Sequence, residues 1–151
     1  MRREAYPAQE PLPPFALAYD QQAWEAANGV SHEEIAYGPD PCQRMAIVRP
    51  ERPNGTILAF FHGGGWTCGF KEWSLLNAPA LSQLGITFAS IGYRLAPGVT
   101  YPANVEDCAA GVAHLWRLEA PRQTATPRLI VGGHSAGGHL AATLATDFSQ
   151  P

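Results

Sequence analysis

Three short apolar runs, each closed by glycine or a turn, divide the chain: TILAFF at 56–61, ITFASIGYR at 86–94 and RLIVGG at 128–133. Runs of this length without polar alternation suit strands buried on both faces, as in parallel sheets. Between them the period lengthens. Residues 73–84 carry Leu75, Leu76, Ala80, Leu81 and Leu84 at helical spacing, interrupted by Pro79 and closed by Gly85. PANVEDCAAGVAHLWRLEA begins a second amphipathic helix near Pro102, and SAGGHLAATLATDF resumes helix after the third run. Strand and helix therefore alternate three times, which predicts an α/β fold with a mostly parallel sheet and right-handed crossovers.

The N-terminal side has a different texture. Residues 21–29, QQAWEAANG, predict a short helix, and EEIAYG and CQRMAIVRP predict strands. Asn54-Gly55 is a turn signal between the second of these and the 56–61 run, so the sheet is expected to start antiparallel. Residues 1–20 hold Pro7, Pro11, Pro13 and Pro14 and form a proline-rich arm that either drapes over the domain or stays loose. The organisation is an arm, 1–20, followed by one domain segment, 21–151.

The turn after the third strand carries the first chemical motif. Gly133-His134-Ser135-Ala136-Gly137 fits G-x-S-x-G and stands between a strand and a helix, where a serine nucleophile must sit. The serine has to hold strained backbone angles with its hydroxyl raised above the sheet, so Gly133 and Gly137 leave room for the turn. The following helix aims free N–H groups and the positive end of its dipole at the serine, making the Ala136 N–H an oxyanion donor. A Walker loop would need Lys and Ser/Thr after its last glycine, but His139 and Leu140 follow Gly138. The competing reading is a glycine-rich turn with an incidental serine.

FHGGGW at 61–66 weakens that competitor, because it ends an earlier inner strand in successive glycines whose N–H groups can face an oxygen. Gly64 and Gly65 are the expected donors, Gly63 allows the turn, and His62 fixes the loop through a backbone hydrogen bond rather than acting as a base. Trp66 and Trp73 either line an aromatic pocket or pack in the core or rim. His134 and His139 flank Ser135, but a side chain beside the turn residue and one a helical turn beyond it are poorly placed to reach its hydroxyl. Cys68 lies near the glycine loop with nothing basic in sequence to make it a nucleophile.

With both motifs in order, the sequence resembles α/β-hydrolases of the esterase and lipase branch with an HGGG oxyanion loop, the hormone-sensitive-lipase-like group. HGGGW, YRLAPGVTYPANVEDCAAGVAHLWR and GGHSAGGHLAATLATDF are also similar to the kynurenine formamidase (arylformamidase) relatives. Gly65 stands where those formamidases often carry an aromatic residue, so a general esterase remains open. The resemblance implies hydrolysis of a carboxylic ester or small aryl amide at Ser135, with no cofactor and no metal. It also implies that Arg94 and Asp107 pair to hold the loop below the oxyanion strand; a solvated pair of little worth is the alternative.

Composition narrows the partners. Ten Lys+Arg against 13 Asp+Glu give a formal charge of −3 with no basic run, which argues against nucleic acid and against an anionic membrane surface. Cys42, Cys68 and Cys108 lie outside any zinc-ligand spacing and are expected reduced, as in a cytoplasmic protein. The prolines of the first 20 residues interrupt any signal-peptide core, and no apolar run approaches the roughly 20 residues that span a bilayer.

In this fold the triad acid and histidine follow the nucleophile on later loops. Only AGGHLAATLATDFSQP follows Ser135; Asp147 is its one acid and no histidine comes after it. The expectation is the N-terminal half of a hydrolase domain, with the nucleophile strand's outer edge exposed. That edge leaves open a homo-oligomer, a complementary C-terminal half, or a non-catalytic interaction module.

Overall fold

The computed structural model describes residues 3–146, so Asp147 lies outside the described residues. Five strands form one sheet: β1 (Glu33–Ala36), β2 (Arg44–Val48), β3 (Thr56–Phe61), β4 (Thr87–Ile91) and β5 (Arg128–Gly133), in the order β1-β2-β4-β3-β5. β1, β2 and β4 pair antiparallel, whereas β4, β3 and β5 run parallel. The mixed α/β sheet expected from the pattern is present. Asn54-Gly55, however, does not close a hairpin. β2 pairs with β4, and Asn54 ties the chain to the end of the next helix, with its N–H donating to Gly85 O at 2.8 Å and its side-chain amide to Leu84 O at 2.8 Å.

The uninterrupted apolar character of β3 follows from its place between β4 and β5. Ile57, Ala59 and Phe61 point into the main core, with Val105, Cys108 and Leu115 of α3 (Ala103–Glu119) and Leu140 of α4 (Ala136–Thr146). The alternate residues Leu58 and Phe60 join Ala46, Val48, Phe88, Leu75 and Ala78 on the opposite face. Period-2 geometry gives each face its own apolar set. Pro79 divides the 73–84 stretch into a 3-10 segment, Lys71–Asn77, and α2, Ala78–Gln83.

α1 spans Leu17–Asn28, so the last four residues of the proline-rich lead already belong to it. The lead does not hang free. Tyr6 and Leu12 pack on Phe70, Trp73 and Ala23, and Tyr6 Oη donates to Glu72 at 2.8 Å while accepting from the buried Lys71 Nζ at 2.7 Å. Arg3 pairs with Asp20, whose other oxygen accepts from Trp73 Nε1 at 2.9 Å.

Arg94 and Asp107 do pair, and not in solvent. Asp107, 2% exposed, accepts from Arg94 Nε and Nη2 at 2.8 and 2.7 Å, from the Arg94 N–H at 2.9 Å and from Gln43 Nε2 at 2.7 Å. This carboxylate joins the exit of β4, the entry of β2 and the start of α3.

Candidate active site

Ser135 sits in the turn from β5 to α4 with φ 52°, the left-handed region that costs a non-glycine residue energy. The glycines around it are required by contact. A Cβ on Gly133 would lie 2.3 Å from Gly137 C and O, and one on Gly137 would lie 2.2 Å from Phe61 O and 2.5 Å from His62 O. The His134 N–H donates to Phe61 O at 3.1 Å, and the Gly137 and His139 N–H groups donate to His134 O and Ser135 O at 2.9 and 3.1 Å. The turn is thus tied to the end of β3 and to the first turn of α4.

The end of β3 also starts the glycine loop, which brings the two motifs together. A Cβ on Gly63 would meet His134 Nδ1 at 2.8 Å, His134 O at 3.0 Å and Ser135 Cβ at 3.2 Å. Gly64 has φ +122° and Gly65 φ +61°, and Trp66 follows with φ 63°. Gly64 O receives the Thr67 and Cys68 N–H groups at 3.1 and 3.0 Å and the Cys68 thiol at 3.1 Å. Among the described residues, no hydrogen bond takes up the N–H of Gly64, Gly65 or Ala136, or the Ser135 hydroxyl.

His62 lies beneath this loop, 3% exposed, stacked on Tyr93 at 4.5 Å between ring centres. Its Nδ1 is 2.7 Å from Gly63 O, a contact that requires Nδ1 to carry the proton. Burial lowers its pKa from the ordinary 6.5 to about 4, so at neutral pH it is an uncharged strut. Burial raises the Cys68 pKa, so its thiol stays protonated against Gly64 O. His139 meets the Trp66 ring edge to face at 5.4 Å, while His134 is exposed at the cleft wall; neither hydrogen-bonds Ser135 Oγ among the described residues.

A cleft of about 600 Å³ opens over Ser135 and the three glycines. Trp73 forms part of its wall, while Trp66, 39% exposed, packs against His139. Most of the remaining wall comes from the arm and the start of α1: Leu12, Pro13, Phe15 and Tyr19. Among the described residues, no Lys, Arg, Asp or Glu lines it. Hydrophobic periodicity gave no sign of these arm residues, because they lie in a proline-broken segment without a repeat. Among the described residues, no group of three His, Cys, Asp or Glu side chains is placed to hold a metal ion, and no helix is long and apolar enough to cross a membrane.

Residues 58–151 match the family model for the alpha/beta hydrolase fold. A probable isoprenylcysteine alpha-carbonyl methylesterase of Oryza sativa subsp. japonica is 34% identical over 110 residues, covering 72% of this chain and 26% of that protein. A carboxylic ester hydrolase of Mycobacterium tuberculosis is 43% identical over 105 residues, 64% of this chain and 27% of that protein. Among solved structures, a bacterial heroin esterase superposes with a TM-score of 0.66 at 29% identity, covering 93% of this chain and 48% of that one. Esterase B of Lactobacillus rhamnosis gives 0.72 at 26% identity, covering 87% and 46%. The matched region thus spans about a quarter of the length of the curated relatives and about half of these solved chains.

Proposed function

The chain belongs to the α/β-hydrolase fold family, and from that premise we propose that it carries the nucleophile and oxyanion side of a serine hydrolase for uncharged carboxylic esters. The observation that carries this reading is the contact between the two motifs, in which the glycine loop lies against the serine turn with no room for a Cβ at Gly63. Ser135 Oγ attacks the ester carbonyl carbon, and the N–H groups of Gly64, Gly65 and Ala136 hold the oxygen as it becomes negative. The tetrahedral centre collapses to an acyl-serine as the alcohol leaves with a proton, and water then releases the acid. The proton is moved by a histidine and its acid partner contributed from outside residues 3–146.

The cleft favours an apolar group beside the scissile bond, because its walls are aliphatic and aromatic and a charge there would lose hydration without a partner. Carboxylic esters are preferred over N-formyl aryl amides, since Gly65 leaves the loop without the aromatic residue that formamidases often carry. The test is labelling of Ser135 by a fluorophosphonate together with hydrolysis of p-nitrophenyl butyrate and N-formylkynurenine, each against Ser135→Ala. Equal rates and equal labelling in both proteins would sink the serine mechanism.

One observation favours a second reading, an interaction module. β5 has β3 as its only neighbour among the described residues, and Ile130 on it is 51% exposed. Such an edge accepts a further strand.

A further inference from the structure

The arm makes a contact that differs in kind from its apolar packing. Gln9, sixty residues away in sequence, faces Gly69 with its amide in the manner of a neighbouring strand. The Gly69 N–H donates to Gln9 Oε1 at 2.8 Å, and Gln9 Nε2 donates to Gly69 O at 3.1 Å. The next arm residue continues the pattern, with the Glu10 N–H donating to Thr67 O at 3.3 Å. Gly69 is buried, and its φ of +115° brings it against the site: a Cβ there would lie 2.4 Å from Gly63 O and 2.6 Å from His62 Nδ1. A direct packing line therefore runs from Gln9 through Gly69 to Gly63 and on to Ser135.

We propose that Gln9 is a positioning residue, fixing through its two hydrogen bonds to Gly69 the conformation in which the loop presents the Gly64 and Gly65 N–H groups. The proposal rests on the reading of that loop given above. A primary amide offers a donor and an acceptor at the spacing of one residue's N–H and C=O, so Gln9 completes both polar groups of a buried glycine. Without it, both seek other partners and the loop shifts. The arm is itself anchored at Tyr6 by Lys71 and Glu72, which gives the clamp a fixed support.

The test compares the wild-type chain with Gln9→Met, which keeps the shape and loses both bonds, and Gln9→Glu, which keeps the acceptor for the Gly69 N–H. Four quantities are read: kcat and KM for p-nitrophenyl butyrate, amide exchange over residues 63–70, and Tm. Donors displaced from the developing oxyanion weaken the transition state more than substrate binding. Gln9→Met should lower kcat about tenfold or more with KM within about twofold, and so should Gln9→Glu, whose second carboxylate oxygen faces Gly69 O without a proton between them. Loop exchange should quicken while that of β3 and β4 does not. An unchanged kcat accompanied by a lower Tm would overturn the proposal, since the contact would then be structural only. If the wild-type chain hydrolyses nothing for want of the histidine and its acid partner, fluorophosphonate labelling of Ser135 against Ser135→Ala decides the reading of the site and exchange decides the clamp: faster exchange confined to 63–70 upholds it, and equal exchange overturns it.

Discussion

A methyl group is the smallest addition that separates the two motifs. At Gly63 it would enter the contact with His134 and Ser135, where the nearest atoms stand at 2.8–3.2 Å. The exposed His134 ring can turn aside, but the backbone oxygen at 3.0 Å and Ser135 Cβ at 3.2 Å admit it only if the serine turn gives by a few tenths of an ångström. Gly63→Ala should therefore cost stability by about 1–3 kcal/mol and slow fluorophosphonate labelling of Ser135 by roughly tenfold. Labelling at the wild-type rate would show that the loop and turn are not mechanically joined. His62, on the same loop, sets a second expectation. Its folded-state pKa of about 4 lies below the ordinary 6.5, so between these values the unfolded chain takes up a proton that the folded chain refuses. Stability is full above pH 6.5 and falls as the pH drops toward 4, by about 3 kcal/mol over the window. Urea midpoints from pH 7 to pH 4.5 measure it, and His62→Asn should flatten the dependence while keeping a donor for Gly63 O.

At the scale of elements, the loop from β4 to α3 depends on one carboxylate. Asp107 is buried and takes two of its hydrogen bonds from the Arg94 side chain. Removing that side chain leaves the charge with the Arg94 N–H and Gln43 alone, a deficit of about 2–4 kcal/mol. Arg94→Ala should thus lower Tm by roughly 5–10 °C for a chain of this size, and a melting curve matching wild type would reduce the pair to a surface contact. The inner elements are legible in the sequence: β3, β4 and β5 are unbroken apolar runs, α3 and α4 carry helical spacing with clear boundaries, and the serine and glycine motifs fall at strand ends where backbone chemistry demands them. Other features resisted for stated reasons. Asn54-Gly55 signals a turn but holds no information on which strand the chain pairs with next, and here the partner of β2 is β4, reached after α2. The arm's docking rests on single long-range contacts such as Gln9 with Gly69 and Tyr6 with Glu72, which leave no periodic trace. The cleft wall at Leu12 and Phe15 was invisible for the same reason.

For the whole molecule, strand order decides what else can bind. β3 is flanked on both sides, while β5, which delivers Ser135, has one edge without a strand among the described residues. The face beside that edge is thinly covered too: Ile130 is 51% exposed, and Gly132 offers no side chain over Phe60 and Leu58. An open edge with an exposed β-branched residue favours strand addition, and natural sheets oppose this by placing lysine there. Sedimentation velocity across a hundredfold concentration range should therefore show the wild-type chain associating, and Ile130→Lys should move the onset to higher concentration. Ser135 is on the turn beyond the strand, so its labelling in the monomer should be the same in both proteins. Association of both to the same extent would assign it to another surface, and a wild-type monomer at every concentration would remove a second copy as the partner of this edge and leave it to a complementary half.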